Sequence, residues 1–432
     1  MSYGAAAQPS RVLPVPSLAT LAAAMTALAV LTLFLVSSKV LQWLGLPYAT
    51  SGGSALAKFH PATFLAIAAL LLAAAATGFG RFTARAAIER PGLVAFAFAI
   101  LLLLFQAVII QKLPLSAIVD TFMLPLALFL AICALSDRTG SRLALVLHAV
   151  FFANSAIGYL EYTTGFRLTP YYMGSEVITY DWRATALFGH PLSNALITGA
   201  YLLVLANGGG KRFDVRLMAF LLVFHLGALA AFGGRAATIV VLALLALRGG
   251  VASLGILAGR PVSRRAVITV AVVATLVATL GTLAVLGGFL DSFLDRFQDD
   301  HGSANTRIAM FHVFDGTSWH DMVFAPDLNH IAANQRRLDL AIAIESFIVA
   351  FFAYYGAVTM ILFFAGLLAF CAEIIRVTGA SAIMPIVYFF IVSSTSTGIA
   401  NKTVDLGMLT AMLLLFLTPR FLPAARRQAR PC

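Results

Sequence analysis

Twelve runs of leucine, alanine, valine, isoleucine and phenylalanine divide this chain, most of them long enough to cross a hydrocarbon layer. A bilayer core about 30 Å thick takes roughly 20 helical residues. Backbone groups in lipid must find their partners within the segment. None of the runs alternates with period two, so they predict helices and not barrel strands. Charged residues make up 11% of the chain, against about 25% in a soluble domain. The expected fold class is therefore an all-α polytopic membrane protein, a single integral membrane domain over residues 1–432. Spans are placed at about 17–38, 60–79, 92–110, 117–135, 143–160, 185–206, 215–232, 236–247, 266–288, 341–370, 381–400 and 403–418. The polar start carries only Arg11 and no cleavage-site pattern, so the first run is read as a span.

With the N-terminus inside, the inside loops hold 18 lysines and arginines and the outside segments 11. Cytoplasmic loops carry this excess, so both termini are expected inside. The net charge of +11 then reflects topology and not nucleic-acid binding. Cys133, Cys371 and Cys432 match no zinc or redox spacing.

Both long polar loops, about 161–184 and 289–340, fall outside in this arrangement, the second between spans nine and ten. The stretch from Asp291 to Glu345 holds eight of the thirteen aspartates and four of the eight histidines. A long polar loop between apolar spans is more often functional than idle. The first loop carries Tyr171, Tyr172, Tyr180 and Trp182. Such rings either anchor at headgroup level or stack on sugars. Ionisable groups beside spans are costly. Arg183, Arg235, Glu345, Lys402 and Asp405 all sit at outer span ends. An ion-coupled transporter would place such groups nearer the midplane.

Three arginines are candidates for holding an anionic substrate. Arg183 opens Arg183-Ala-Thr-Ala-Leu-Phe-Gly-His190-Pro191-Leu-Ser-Asn194. Arg235 sits in Phe232-Gly-Gly-Arg235-Ala-Ala-Thr238, whose small residues let a ligand or a backbone come close. Arg307 follows Ser303-Ala-Asn-Thr, a pattern that predicts a short helix capped by Ser303 or Asn305. Guanidinium grips phosphate bidentately. Three such groups from separate segments would hold a lipid-linked pyrophosphate and stabilise it as it leaves. The alternative for each is snorkelling to the interface or pairing with a loop aspartate.

In this order and on this side of the membrane, these residues resemble the bacterial O-antigen ligase and polymerase superfamily of polytopic glycosyltransferases. The shared features are the Arg183–Asn194 stretch, the turn Gly233-Gly234-Arg235-Ala236, a large outside loop with Arg307, and Glu345-Ser346 leading to Tyr354-Tyr355-Gly356. They cover about residues 180–365. Ala186 stands where a glycine is common, and Leu192 where an asparagine often follows the proline. Ligases usually carry a His-Asn pair at the junction that here reads Ala343-Ile344-Glu345-Ser346. The departure favours the polysaccharide-polymerase branch, of exopolysaccharide or capsule type. The resemblance implies a site at the periplasmic face of the bacterial inner membrane. Donor and acceptor would be glycans carried on undecaprenyl pyrophosphate, with no cofactor, metal or nucleotide. A flippase and a chain-length regulator of the same pathway would be partners.

Such a reaction needs a base for the acceptor hydroxyl. Glu345 is the first candidate, because a lipid-proximal helix start would raise its pKa. Its ordinary alternative is to complement the helix dipole. His330 and His312 follow. His190 is expected at the top of span six, either touching substrate or starting the helix. His312, Asp315, His320 and Asp321 are ligand types without a metal-site spacing. His148 and His225, within spans, are expected to be packed or hydrogen-bonded. Two other functions fit the sequence: a ligase-type glycan transferase, and a lipid-linked oligosaccharide flippase or other transporter. Transport would want a cationic central cavity and repeat symmetry, and the sequence shows neither.

Overall fold

The computed structural model describes residues 17–50, 52–174, 176–259, 264–298, 307–324, 326–340 and 344–422. Seven of its helices are long and apolar enough to cross a membrane, or eight if the bent pair Pro61–Thr77 and Phe79–Glu89 is one span. Shorter apolar helices accompany them at Pro191–Ala206, Val215–Ala231, Ala380–Ser393 and Asp405–Leu417. The one sheet among the described residues is a small hairpin in the first long loop, Tyr172–Met173 against Glu176–Val177. The chain is an all-α, multi-pass membrane protein.

The last helix, Asp405–Leu417, is the centre of the bundle. It is apolar on every side, and each of its residues is buried. A helix of that composition belongs in a core. Leu18–Leu35, Leu124–Cys133, Asp137–Thr164, Pro191–Ala206 and Phe347–Thr378 pack round it. At the periphery, Arg235–Leu257 has few fully buried residues and the stretch Val267–Leu286 has none, so most of their apolar side chains are left for lipid. The eighth span, placed at about 236–247 with room to extend into Arg248 or to take in Gly233 and Gly234, extends through Arg248, which reaches Asn207 Oδ1 at 2.5 Å, and leaves both glycines outside the helix.

Helix starts follow local chemistry. Ser17, Ser136 and Asp214 each accept an amide hydrogen bond as N-caps. Two helices begin with His-Pro. Proline suits the first helical position. The Nδ1 of His60 accepts from Ala62 N, and that of His190 from Leu192 N, both at 3.2 Å.

Hydrogen bonds between loops sort them into two ends. At the short-loop end, Arg212 donates to Ser141 O at 2.8 Å, Arg420 to Cys133 O at 2.7 Å, and Gly92 N to Glu373 at 3.2 Å. At the long-loop end, Lys39 donates to Tyr172 O at 2.6 Å, Tyr162 to Phe289 O at 2.6 Å, and Lys402 to Tyr48 O at 2.9 Å. Gln106 reaches Phe324 O at 3.3 Å, and Gln111 donates to Tyr354 O.

Two glycines revise the expected spans. Gly78, at φ 86°, turns the chain by 106° out of Pro61–Thr77. The expected loop 80–91 is instead an amphipathic helix, Phe79–Glu89. Gly356, at φ 77°, breaks Phe347–Thr378, so the predicted span 341–370 is a short segment joined to a longer one. The Tyr354-Tyr355-Gly356 step is this break. The second loop is not irregular either. Trp319–Phe324 packs over the break, and Met310, Val313, Ile331, Leu340, Ile344, Ala350 and Ala353 form a separate small core. Ser303 and Asn305, the predicted caps, lie outside the described residues. Glu161 belongs to a helix, Asp137–Thr164, and not to the loop after it.

A Cβ on Gly356 would lie 2.9 Å from Val323 O and 3.0 Å from Phe324 C, at a backbone angle that side chains disfavour. Gly356→Ala is expected to lift the second loop off the bundle and to destabilise the protein by about 2 kcal/mol. Faster proteolysis within residues 307–340 would show it. Cleavage at the wild-type rate would mean the break does not seat the loop.

Candidate functional site

The site at the long-loop end begins with a buried carboxylate. Glu161 lies near the end of Asp137–Thr164 and is 3% exposed. A charge there needs a full set of donors. Oε1 accepts from Leu168 N at 3.0 Å. Oε2 accepts from Thr185 N at 2.7 Å, Thr185 Oγ1 at 3.2 Å and Ala186 N at 2.9 Å. The loop after the helix is thus closed back upon it. Ala186 sits at φ 38°, in the left-handed region that glycine enters freely. Asn154 Oδ1 accepts from Leu187 N, and Asn194 Nδ2 donates to the carbonyls of Thr185 and His190. These bonds set the Arg183–Asn194 stretch.

Arg183 is held by Asp181. Its Nε lies 3.0 Å from both carboxylate oxygens and its Nη2 2.5 Å from Oδ2. Burial alone would raise the Asp181 pKa, but the contacts from Arg183 outweigh it and the group stays below its usual range. The arginine stem lies on Gly233: a Cβ there would fall 2.6 Å from its Cγ and Cδ and 3.1 Å from the Trp182 ring. Ala184 N also donates to Ala231 O at 3.0 Å. The structure therefore joins the Arg183 stretch to the Gly233–Arg235 turn. Arg235, half-buried, stands in the first turn of its helix.

His190 caps its helix, and its Nε2 lies 3.3 Å from the Tyr171 hydroxyl. Burial, with the charges of Lys39 and Arg183, pushes its imidazole down to about 4.

In the second loop, Arg307 Nε lies 4.0 Å from Glu345 Oε2, uniting two candidates from separate segments. Glu345 is less buried than a lipid-proximal helix start would make it. Its side chain is 41% exposed, because it precedes the short Phe347 segment above the break. His312 and His330 converge on Asp315 instead. His312 Nδ1 lies 3.4 Å from its Oδ1, Arg337 donates to its Oδ2 at 3.1 Å, and His330 Nε2 contacts its carbonyl at 2.8 Å. Asn334 donates to the same carbonyl. This network folds the loop. His320 pairs elsewhere, with Asp321 at 3.6 Å. Among the described residues no three His, Cys, Asp or Glu side chains converge as a metal would require.

A second buried acid, Asp120, was not singled out by the sequence reading. It is fully buried and accepts from Tyr48 Oη at 2.9 Å, His60 N at 3.1 Å and Thr63 Oγ1 at 2.7 Å. Lys402 lies 3.7 Å away and stacks over the Tyr48 ring at 3.5 Å. Burial lowers the Lys402 ammonium to about 8, against the attraction of Asp120. Asp405 is buried beside it in the chain and accepts from Ser193 at 3.2 Å. A lone acid inside an apolar run was the available signal. Away from this end, His148 Nδ1 meets Tyr201 Oη at 2.7 Å and His225 Nδ1 meets Ser155 Oγ at 2.8 Å, both as expected.

Comparison of the chain with protein-family models, curated proteins and solved structures finds no match. What the site can do follows from its residues: arginines, a half-exposed carboxylate and aromatic rings on one end of a membrane bundle.

Two outcomes follow. Glu161→Ala strands three backbone amides, two of them buried, and is expected to cost about 3 kcal/mol, with cleavage appearing between residues 165 and 185; unaltered stability and protection would contradict the assigned role. Unfolded, His190 titrates near about 6.5, so between that value and 4 the unfolded chain binds more protons. Stability is then lost as pH falls from 6.5 towards 4, by about 2 kcal/mol between pH 7.5 and 5. His190→Asn keeps a capping oxygen and is expected to flatten this dependence in thermal unfolding at pH 7.5 and 5.

Proposed function

We propose that this chain is a polysaccharide polymerase of the bacterial inner membrane, with twelve spans, both termini cytoplasmic and both long loops periplasmic. It joins oligosaccharide repeat units carried on undecaprenyl pyrophosphate, in exopolysaccharide, capsule or O-antigen biosynthesis. The observation that carries this reading is the packing of the Arg183 stem on Gly233, which sets two arginine motifs side by side at the long-loop end. The Arg307–Glu345 pair supports it by placing a carboxylate beside a third arginine.

In this reading a hydroxyl oxygen of the acceptor sugar attacks the anomeric carbon of the donor glycan. The bond from that carbon to the pyrophosphate oxygen breaks, and its electron pair leaves with undecaprenyl pyrophosphate. Glu345 takes the hydroxyl proton. Arg235 and Arg307 hold the pyrophosphate and stabilise its growing charge, with Arg183 at their side. His190 orients the start of its helix towards the substrate. His312 and His330 serve through the fold of the second loop.

The test is reconstitution in liposomes with a lipid-linked oligosaccharide and no nucleotide. Wild type is expected to give a ladder of longer glycans. Arg235→Ala and Arg307→Ala are each expected to slow it by about 100-fold, and Glu345→Gln by at least as much. Wild-type polymerisation by a Glu345→Ala variant would remove that residue from the base role. Passage of labelled lipid across the bilayer with no ladder, with an alternative acceptor also present, would favour transport.

A further inference from the structure

The first long loop lines a half-open cavity of about 250 Å³. Its wall includes Glu161, Tyr162, Arg167, Asp181, Trp182 and Arg183, with Tyr180 beside them. The charged groups in that wall are two guanidiniums and two carboxylates, and each is already engaged. Arg183 is paired with Asp181. The fork of Arg167 donates to the carbonyls of Arg183, at 3.0 Å, and of Asp181, and its cation lies 5.5 Å from the centre of the Tyr171 ring. Glu161 is filled by its four donors.

A charge-balanced wall is a poor cradle for pyrophosphate, which calls for uncompensated cations. It is a good one for a polyol. A sugar ring has an apolar C–H face and an edge of hydroxyls. Aromatic side chains offer a flat apolar surface with a polar handle, and ion-paired groups keep donor and acceptor positions at their edges. Tyr162 and Trp182 are held in place, and Tyr180 is accessible. Tyr162 stands edge-on to Trp182 at 5.5 Å, with its hydroxyl bound to Phe289 O. Tyr180 is 82% exposed.

We infer that this cavity is a glycan-binding subsite, which takes a sugar ring beside Arg183. That the ring belongs to the repeat unit rests on the polymerase reading; that it is a sugar rests on the cavity. The subsite stands next to the Gly233–Arg235 turn because the Trp182 ring and the Arg183 stem both abut Gly233.

The probe is the oligosaccharide released by mild acid from the host's own lipid-linked pool, so that it carries neither lipid nor pyrophosphate. It is added to the full chain in nanodiscs, and saturation-transfer NMR reads which sugar protons touch protein. Wild type is expected to saturate ring protons. Trp182→Ala and Tyr180→Ala are expected to weaken binding about tenfold, while Trp182→Phe retains most of it. Inorganic pyrophosphate is expected not to displace the glycan. Tyr180 is too exposed to matter for folding, so its variant stands even if Trp182→Ala is unstable. No transfer in wild type, unchanged transfer in both alanine variants, or displacement by pyrophosphate would overturn the subsite. Chain growth is measured on the same samples. Binding without growth would leave the subsite and sink the polymerase; growth without binding would do the reverse.

Discussion

A carboxylate shut away from water must be surrounded by donors or paired, and the long-loop end of this protein is built on two of them. Asp120 draws on Tyr48, His60 and Thr63, with Lys402 close by. Glu161 draws on Leu168, Thr185 and Ala186. The partners of Asp120 come from segments far apart in sequence, and those of Glu161 from the loop that follows its own helix. Removing either acid would orphan several buried groups at once, which is why the loops it gathers are fixed. Arg183 owes its place to this: Thr185 and Ala186 are bound to Glu161, and the arginine two residues earlier is thereby pressed against Gly233.

The membrane explains why such centres occur at helix ends. Irregular backbone in hydrocarbon has no water to bond with, so polar connections gather outside it. The break at Gly356 follows the same rule. Gln111 donates to Tyr354 O, one of the carbonyls beside the break, and Trp319–Phe324 packs over it. The two His-Pro starts add a local solution, each histidine ring accepting the amide two residues on.

What was legible in the sequence was what depends on neighbours along the chain. Apolar runs announced the helices, and small residues around Arg235 announced a close approach, which Gly233 and Gly234 make against Trp182, Arg183 and Ala195. The Arg307–Glu345 contact links residues that had been chosen separately. What was not legible depends on partners that only the folded chain brings together. Asp120 reads as an incidental acid until Tyr48 and Lys402 are seen beside it. His312 and His330 read as free loop bases until Asp315 gathers them. Gly78 and Gly356 showed as glycines, but their positive φ, and hence the bent and broken helices, comes from packing at each position.

The two arginine pairs differ in a way that bears on the proposed chemistry. Arg183 and Asp181 are mostly buried, within two residues of each other, and bound through several hydrogen bonds. Separating them would leave two poorly solvated charges, so the pair acts as a rigid wall. Arg307 and Glu345 are 47% and 41% exposed and only 4.0 Å apart at best. An exposed pair of this kind contributes little stability, so either partner is exchanged at small cost. An arriving phosphate would compete for Arg307 on favourable terms, because it offers bidentate oxygens where Glu345 makes one long contact. The carboxylate thus released would stand beside the substrate with its proton-accepting oxygens open. The weakness of that pair, set against the firmness of the other, is what makes Glu345 a better base candidate than the fully engaged Glu161.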